Sequence, residues 1–251
     1  MESKSRTEYS VMNTTVAFLA QTLAIFMGFF TRVVFTRTLS EGYVGINGLF
    51  TDILNILSLS ELGVGTAITY ALYAPIARRD IKKQQILMRM FRNFYRITAG
   101  FVLLAGLCLI PFLDILMKDR PDVNHLIIIY LLYLLNSVVS YLLIYKKTLV
   151  DAHQMNYITV MYHNGFLVLQ DILQIMVLFL TRNFILFLVI AVVCTIIGNI
   201  CMSRKADRLF PYLKEPCKEQ LPQEERHDIL RNVKAMLMHK IGNVVVNNTD
   251  N

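Results

Sequence analysis

Phe184-Ile-Leu-Phe-Leu-Val-Ile-Ala-Val-Val-Cys194-Thr-Ile-Ile-Gly-Asn-Ile-Cys201-Met202 contains no charged residue. At 1.5 Å per residue, a helix of about 20 residues crosses the ~30 Å hydrocarbon core of a bilayer. In hydrocarbon every backbone N–H and C=O needs a partner, and an isolated segment satisfies that only as a helix. The stretch therefore reads as a membrane-crossing helix and sets the class of the whole chain.

Outward from this run, the same pattern repeats. Thr181–Asn183 is too short for anything but a tight turn, and residues 157–180 before it form a fifth apolar span. Further apolar spans are expected at 11–35, 44–73, 97–117 and 126–145, separated by short polar connectors. The expected fold is all-α, a polytopic transmembrane helix bundle. Residues 1–202 form a six-helix lobe, 203–234 a cytoplasmic linker rich in Pro and charge, and 235–251 the start of a seventh helix that is cut short.

Composition agrees. Hydrophobic residues make up 55% of the chain and its mean hydropathy is +0.49. The net charge of +7 invites a nucleic-acid reading. The basic residues, however, sit at the ends of apolar spans, where membrane topology accounts for them, so no nucleic-acid partner is expected. Twenty of the 25 Lys and Arg fall in the N-terminal tail and the second, fourth and sixth connectors. The positive-inside rule then places the N-terminus and the linker in the cytoplasm. The basic connector at 77–96 reads as an amphipathic helix on the membrane surface, able to touch anionic lipids.

Cys108, Cys194, Cys201 and Cys217 show no metal-ligand spacing and read as free apolar side chains, and neither metal nor cofactor is expected. His153 and His163 show no metal spacing either. Enzyme motifs are absent: no G-x-S-x-G, no Walker A, no dinucleotide fingerprint and no H-E-x-x-H occurs.

Three sets of polar residues inside the spans are candidates for function, because polar groups there face protein or a wet cavity. On the second span, Asn47, Thr51, Asn55, Ser58, Glu61, Gly65 and Thr69 recur at nearly the helical period. This stripe fits either a helix–helix contact, with Gly63 and Gly65 permitting close approach, or a cavity lining. Arg32, a turn inside the end of the first span, either snorkels to the interface or offers a planar guanidinium to an anionic head group. On the fifth span, Asn164, Asp171 and Gln174 share a face. Asp171 either pairs with Arg32 or takes part in proton or ion coupling, and charge pairing is the reading preferred. Tyr130, Tyr133, Ser137 and Tyr141 form a polar-aromatic face on the fourth span, suited to interfacial anchoring or to stacking on sugars.

Two stretches also carry a family resemblance. Gly28-Phe-Phe-Thr-Arg32-Val-Val-Phe-Thr-Arg37-Thr-Leu-Ser-Glu-Gly-Tyr-Val-Gly-Ile-Asn47, with Leu59-Ser-Glu61-Leu-Gly-Val-Gly, resembles the first two helices of Wzx-type polysaccharide repeat-unit flippases. These belong to the multidrug/oligosaccharidyl-lipid/polysaccharide exporter superfamily. His239-Lys-Ile-Gly-Asn-Val-Val-Val-Asn247-Asn248-Thr-Asp250 resembles the opening of their seventh helix. The resemblance implies the first lobe of a two-lobed bacterial cytoplasmic-membrane transporter, with the C-terminal lobe as its partner. It implies movement of undecaprenyl-pyrophosphate-linked oligosaccharides between leaflets by alternating access. Related lipid II flippases carry arginines in a central cavity, one of them in a first-helix pattern like Phe30-Thr-Arg32. Here Val33 stands where that pattern has an acid.

The substrate-binding set so expected is Arg32, Asn47, Asn55, Glu61, Asn164 and Asp171. Asn247, Asn248 and Asp250 would join from the second lobe. A multidrug extruder of the same superfamily, a membrane enzyme of polysaccharide assembly and a non-transporting scaffold are the rival readings.

Overall fold

A computed structural model describes residues 6–58, 64–113, 123–215, 221–225, 227–229, 231, 232, 235 and 238. Among them the regular structure is helical: α1 (Arg6–Thr38), α2 (Glu41–Ser58), α3 (Val64–Ala77), α4 (Ile81–Leu109), α5 (Leu126–Tyr141), α6 (Ile144–Ala152), α7 (Asn156–Thr181) and α8 (Phe184–Leu209). Short 3-10 turns follow α4 at Ile110–Phe112 and α8 at Pro211–Lys214. Among the described residues four helical stretches are long and apolar enough to cross a membrane: Thr7–Thr38, Ile81–Phe112, Asn156–Thr181 and Phe184–Leu209. A fifth crossing arises if α5 and α6, bent by 40°, act as one span.

The chain ends of these helices are set locally. Asp80 caps α4, its carboxylate accepting from Lys83 N–H at 2.9 Å. Asn183 caps α8, Oδ1 accepting from Ile185 N–H at 2.9 Å and from Leu186 N–H at 3.2 Å. Arg79, Gln154 and Arg182 take left-handed backbone angles where one helix gives way to the next. That conformation turns the chain at a helix C-terminus, and without glycine it is strained.

Three expectations are revised. The basic connector at 77–96 and the third span are one continuous helix, α4, because neither Pro nor Gly interrupts the chain between Asp80 and Gly100. The fourth span breaks at Leu142–Leu143, and the expected loop that follows holds α6. The sixth span continues as helix to Leu209, into the expected linker. The second span is described as α2 and α3 on either side of residues 59–63, which lie outside the described residues, as do 239–251 of the seventh span.

Packing orders the bundle. α1 lies along α7, α7 on α8, α8 on α5 and α5 on α4, while α2 meets α5 and α4, and α3 meets α6 and α4. The core between them includes Phe50, Leu72, Phe91, Tyr95, Val102, Tyr130, Leu134 and Leu149, all essentially inaccessible. Gly106 lets α4 approach α5: a Cβ there would collide with the Leu134 side chain, and Tyr130 Oη donates to Gly106 O at 2.8 Å. The outward surface stays apolar, with Phe18, Phe26, Ile97, Leu104, Phe179 and Leu180 exposed. In water such a belt would be an aggregation surface; in lipid it is the expected exterior.

Where α8 leaves the bundle, a polar cluster ties it to α4. Tyr212 Oη donates to Gln84 Oε1 at 2.6 Å, Gln85 Nε2 donates to Tyr212 O at 2.6 Å, and Gln84 Nε2 donates to Pro75 O at 3.3 Å. Burial raises the Tyr212 phenol to about 12, so it remains a neutral donor at any physiological pH.

Candidate functional site

Two cavities lie end to end among α5, α7 and α8. The first, of about 310 Å³, is also bordered by α1 and α2. α1 contributes Gly28, Thr31, Arg32 and Phe35, spaced so that they share one face. α2 contributes Asn47, α5 contributes Tyr133 and Asn136, and α7 contributes Gln170, Asp171 and Gln174. Phe187, Leu188 and Ala191 of α8 form the apolar wall.

The polar groups of this cavity are held by one another. Tyr133 Oη donates to Asn47 Oδ1, joining α5 to α2. The Thr31 hydroxyl lies 2.9 Å from Asp171 Oδ1 and 3.0 Å from Met27 O, and its one proton serves these acceptors in turn. Gln174 Nε2 donates to Phe187 O at 3.0 Å, fixing α7 against α8. Arg32 is exposed, with its guanidinium carbon 5.6 Å from the centre of the Phe35 ring. Among the described residues Arg32 and Asp171 form no ion pair, although both line this cavity. The Asp171 carboxylate takes its hydrogen bond from Thr31 instead, leaving the guanidinium for another anion.

The second cavity, of about 360 Å³, continues from the first toward α6. Its polar lining includes Ser140, Lys147, Thr159, His163 and Asn199. Asn136 and Gln170 line both cavities and form the wall between them.

Of the six expected site residues, Arg32, Asn47 and Asp171 come together in the first cavity. Asn164 is buried on α7 and lines neither cavity. Asn55 is exposed on α2 and also lines neither. Glu61 lies outside the described residues, as do Asn247, Asn248 and Asp250. Of the aromatic face on α5, Tyr130 and Tyr141 are buried and line neither of these cavities, whereas Tyr133 lines the first.

Sequence reasoning passed over Thr31, Asn136, Gln170 and Lys147. For Asn136 and Lys147 a signal existed in the spacing: Tyr133, Asn136, Ser140 and Lys147 recur every three to seven residues along α5 and α6 and all line these cavities. Among the described residues no group of His, Cys, Asp and Glu could hold a metal ion.

No protein-family model, curated protein or solved structure matches the chain.

Proposed function

We propose that this chain is the N-terminal lobe of a two-lobed flippase that carries lipid-linked oligosaccharides across the bacterial cytoplasmic membrane. The observation that supports it most is the convergence of Arg32, Asn47, Tyr133 and Gln170 on one cavity inside helices whose outer faces are apolar. A pyrophosphate-sugar head group needs a cation and many hydrogen-bonding groups on its path, while its polyprenyl tail remains in lipid. Arg32 suits the phosphate, because the guanidinium fork pairs two oxygens at once. Asn47, Tyr133 and Gln170 suit sugar hydroxyls, being donors and acceptors together. The Phe35 face holds the guanidinium stem without neutralising it.

In this reading six crossings form the lobe. The lobe rocks against a second lobe, and the head group passes between them. The N-terminus and the 203–234 linker are cytoplasmic, on the positive-inside rule. The partners are the lipid-linked oligosaccharide, the surrounding lipids and the second lobe, and the protein moves its substrate without altering it.

Asp171 in the same cavity favours a second reading, extrusion of organic cations, for which a carboxylate is the natural partner. Transport of a lipophilic cation that is abolished by Asp171→Asn and indifferent to Arg32→Ala would select it.

A strain lacking its repeat-unit flippase tests the first reading. The gene restores surface polysaccharide only when a second lobe accompanies residues 1–251. Arg32→Ala abolishes the rescue and Arg32→Lys keeps part of it. Full rescue by Arg32→Ala at normal expression removes Arg32 from the site, and rescue by residues 1–251 alone contradicts the half-transporter reading.

A further inference from the structure

α4 carries Lys82, Lys83, Arg89, Arg92 and Arg96 and no Asp or Glu anywhere along Ile81–Leu109. Lys83 is neutralised by Glu225, its Nζ 2.8 Å from Oε2. Arg92 and Arg96 form no ion pair among the described residues. Arg96 is exposed. Arg92 is half-buried with its Nε shielded, so an outward contact falls to its terminal nitrogens.

A helix lying on the membrane would offer these cations as a diffuse charge. Because α4 runs unbroken into the apolar span, it fixes each of them at one depth. The apolar surface begins at once beyond Arg96: Ile97 is 72% exposed, and Phe101 and Leu104 are exposed further on. Arg96 thus stands at the edge of the hydrocarbon, where a long cationic side chain reaches lipid phosphates. Tyr70 and Tyr73, exposed near the end of the neighbouring α3, are of the type that concentrates in this layer.

The stripe continues into the belt. Arg92, Arg96, Gly100, Leu103 and Leu107 follow at intervals of four, four, three and four residues, within about 80° of one another round the helix. Leu103 and Leu107 are exposed. Apart from the helix's own backbone, no atom lies within 4 Å of where a Cβ on Gly100 would stand. The face therefore offers two guanidinium groups a turn apart, then a notch at Gly100 beside apolar side chains. That is the order of a phospholipid, phosphate first and acyl chain beyond it.

We propose that this face of α4 holds one anionic phospholipid of the cytoplasmic leaflet, its phosphate shared by Arg92 and Arg96 and an acyl chain lying over Gly100. A zwitterionic lipid brings its own cation beside the phosphate, so paired arginines select a net-negative head group. The apolar half of the stripe has no role for a free phosphate ion and a direct one for a lipid tail. The site requires only that the chain spans a membrane, and it stands whether or not the chain is a flippase.

Native mass spectrometry of the full chain, released from micelles holding equal phosphatidylglycerol and phosphatidylcholine with the same acyl chains, tests the site. The wild type retains phosphatidylglycerol in preference. Arg92→Gln with Arg96→Gln lowers that preference at least about tenfold, the loss expected of two head-group contacts, and Arg92→Lys with Arg96→Lys keeps most of it. Arg204→Gln with Arg208→Gln removes the same charge from exposed positions near the end of α8 and leaves the preference unchanged. Gly100→Leu, which fills the notch, weakens retention with both arginines in place.

Unchanged preference in the Arg92→Gln, Arg96→Gln variant, with a melting temperature like the wild type's, overturns the proposal. So does an equal loss in the α8 variant, which would make the attraction a property of net charge alone. Unchanged retention in Gly100→Leu overturns the placement of the acyl chain. Prior incubation with excess inorganic phosphate separates a lipid from a free anion. Lipid that survives it supports the site, and lipid displaced by phosphate but not by chloride of equal ionic strength overturns the lipid assignment.

Discussion

The Thr31 hydroxyl on α1 lies 2.9 Å from Oδ1 of Asp171 on α7, inside a pair of helices that pack along each other. This contact supplies a half-buried acid with a neutral partner where an ion pair with Arg32 was expected from sequence. The cavity's cation and its carboxylate thus remain separate, and each can act on a ligand.

The Thr31–Asp171 contact predicts coupled stability. Thr31→Val deprives the carboxylate of its donor and lowers stability by about 1.5–3 kcal/mol, the value of a hydrogen bond to a charged group. In an Asp171→Asn background the same change costs less. A double-mutant cycle in detergent, read by thermal or denaturant unfolding, gives a coupling of about 1 kcal/mol or more. Additive effects would mean that the two side chains do not interact.

The two lysines of α6 predict opposite responses. In the Lys146–Asp207 pair the side chains are 14% and 19% exposed, so removing one partner strands the other. Lys146→Met destabilises by about 3–5 kcal/mol, and Lys146→Met with Asp207→Leu recovers most of that loss. Lys147→Met, which breaks no pair among the described residues, stays within about 1 kcal/mol of the wild type. Equal losses at the two positions would contradict this assignment.

His153 predicts a loss of stability in acid. It follows α6 directly, its ring 4.4 Å from that of Phe210 and its Nδ1 2.9 Å from Leu149 O. Burial pushes the imidazole below its ordinary value of 6.5, against a smaller opposing effect of the Leu149 carbonyl. The unfolded chain therefore takes up the proton first. The contribution of the neutral ring is complete above pH 6.5 and is lost as the pH falls below 6.5 through the lowered folded value. Melting between pH 7.5 and 5 shows this slope in the wild type and a shallower one in His153→Gln. Identical slopes would show that His153 does not carry it.

The spans at α7 and α8 were legible because long uncharged runs admit one structure in a membrane, and Thr181–Asn183 marks the turn between them. The kink at Leu142–Leu143 was not legible. Neither Pro nor Gly stands there, and the break falls inside an apolar run that continues to Tyr145. The union of the basic connector with the third span was hidden for the converse reason: a change of composition at Arg96 looked like a boundary, yet no helix breaker accompanies it.

For the site, residue type was legible and rotation was not. On α7 the cavity-facing stripe centres on Gln170, running through Thr159, His163, Phe166 and Gln174. At 3.6 residues per turn, Asp171 and Asn164 lie roughly 100° and 120° round from it. A stripe drawn through the most expensive residue, Asp171, was therefore offset by about a quarter of a turn. Asp171 still reaches the first cavity, whereas Asn164 is buried away from both. Gln170 and Asn136 were overlooked because a single uncharged amide in a span is inexpensive enough to pass for packing.

The most direct test is the affinity of a polyprenyl-pyrophosphate disaccharide for the chain in nanodiscs, with and without Arg32. Arg32→Ala weakens binding about tenfold or more, and Arg32→Lys, which keeps the charge and loses the fork, falls between. Equal affinity of the wild type and a stably folded Arg32→Ala would mean that the first cavity does not receive the pyrophosphate.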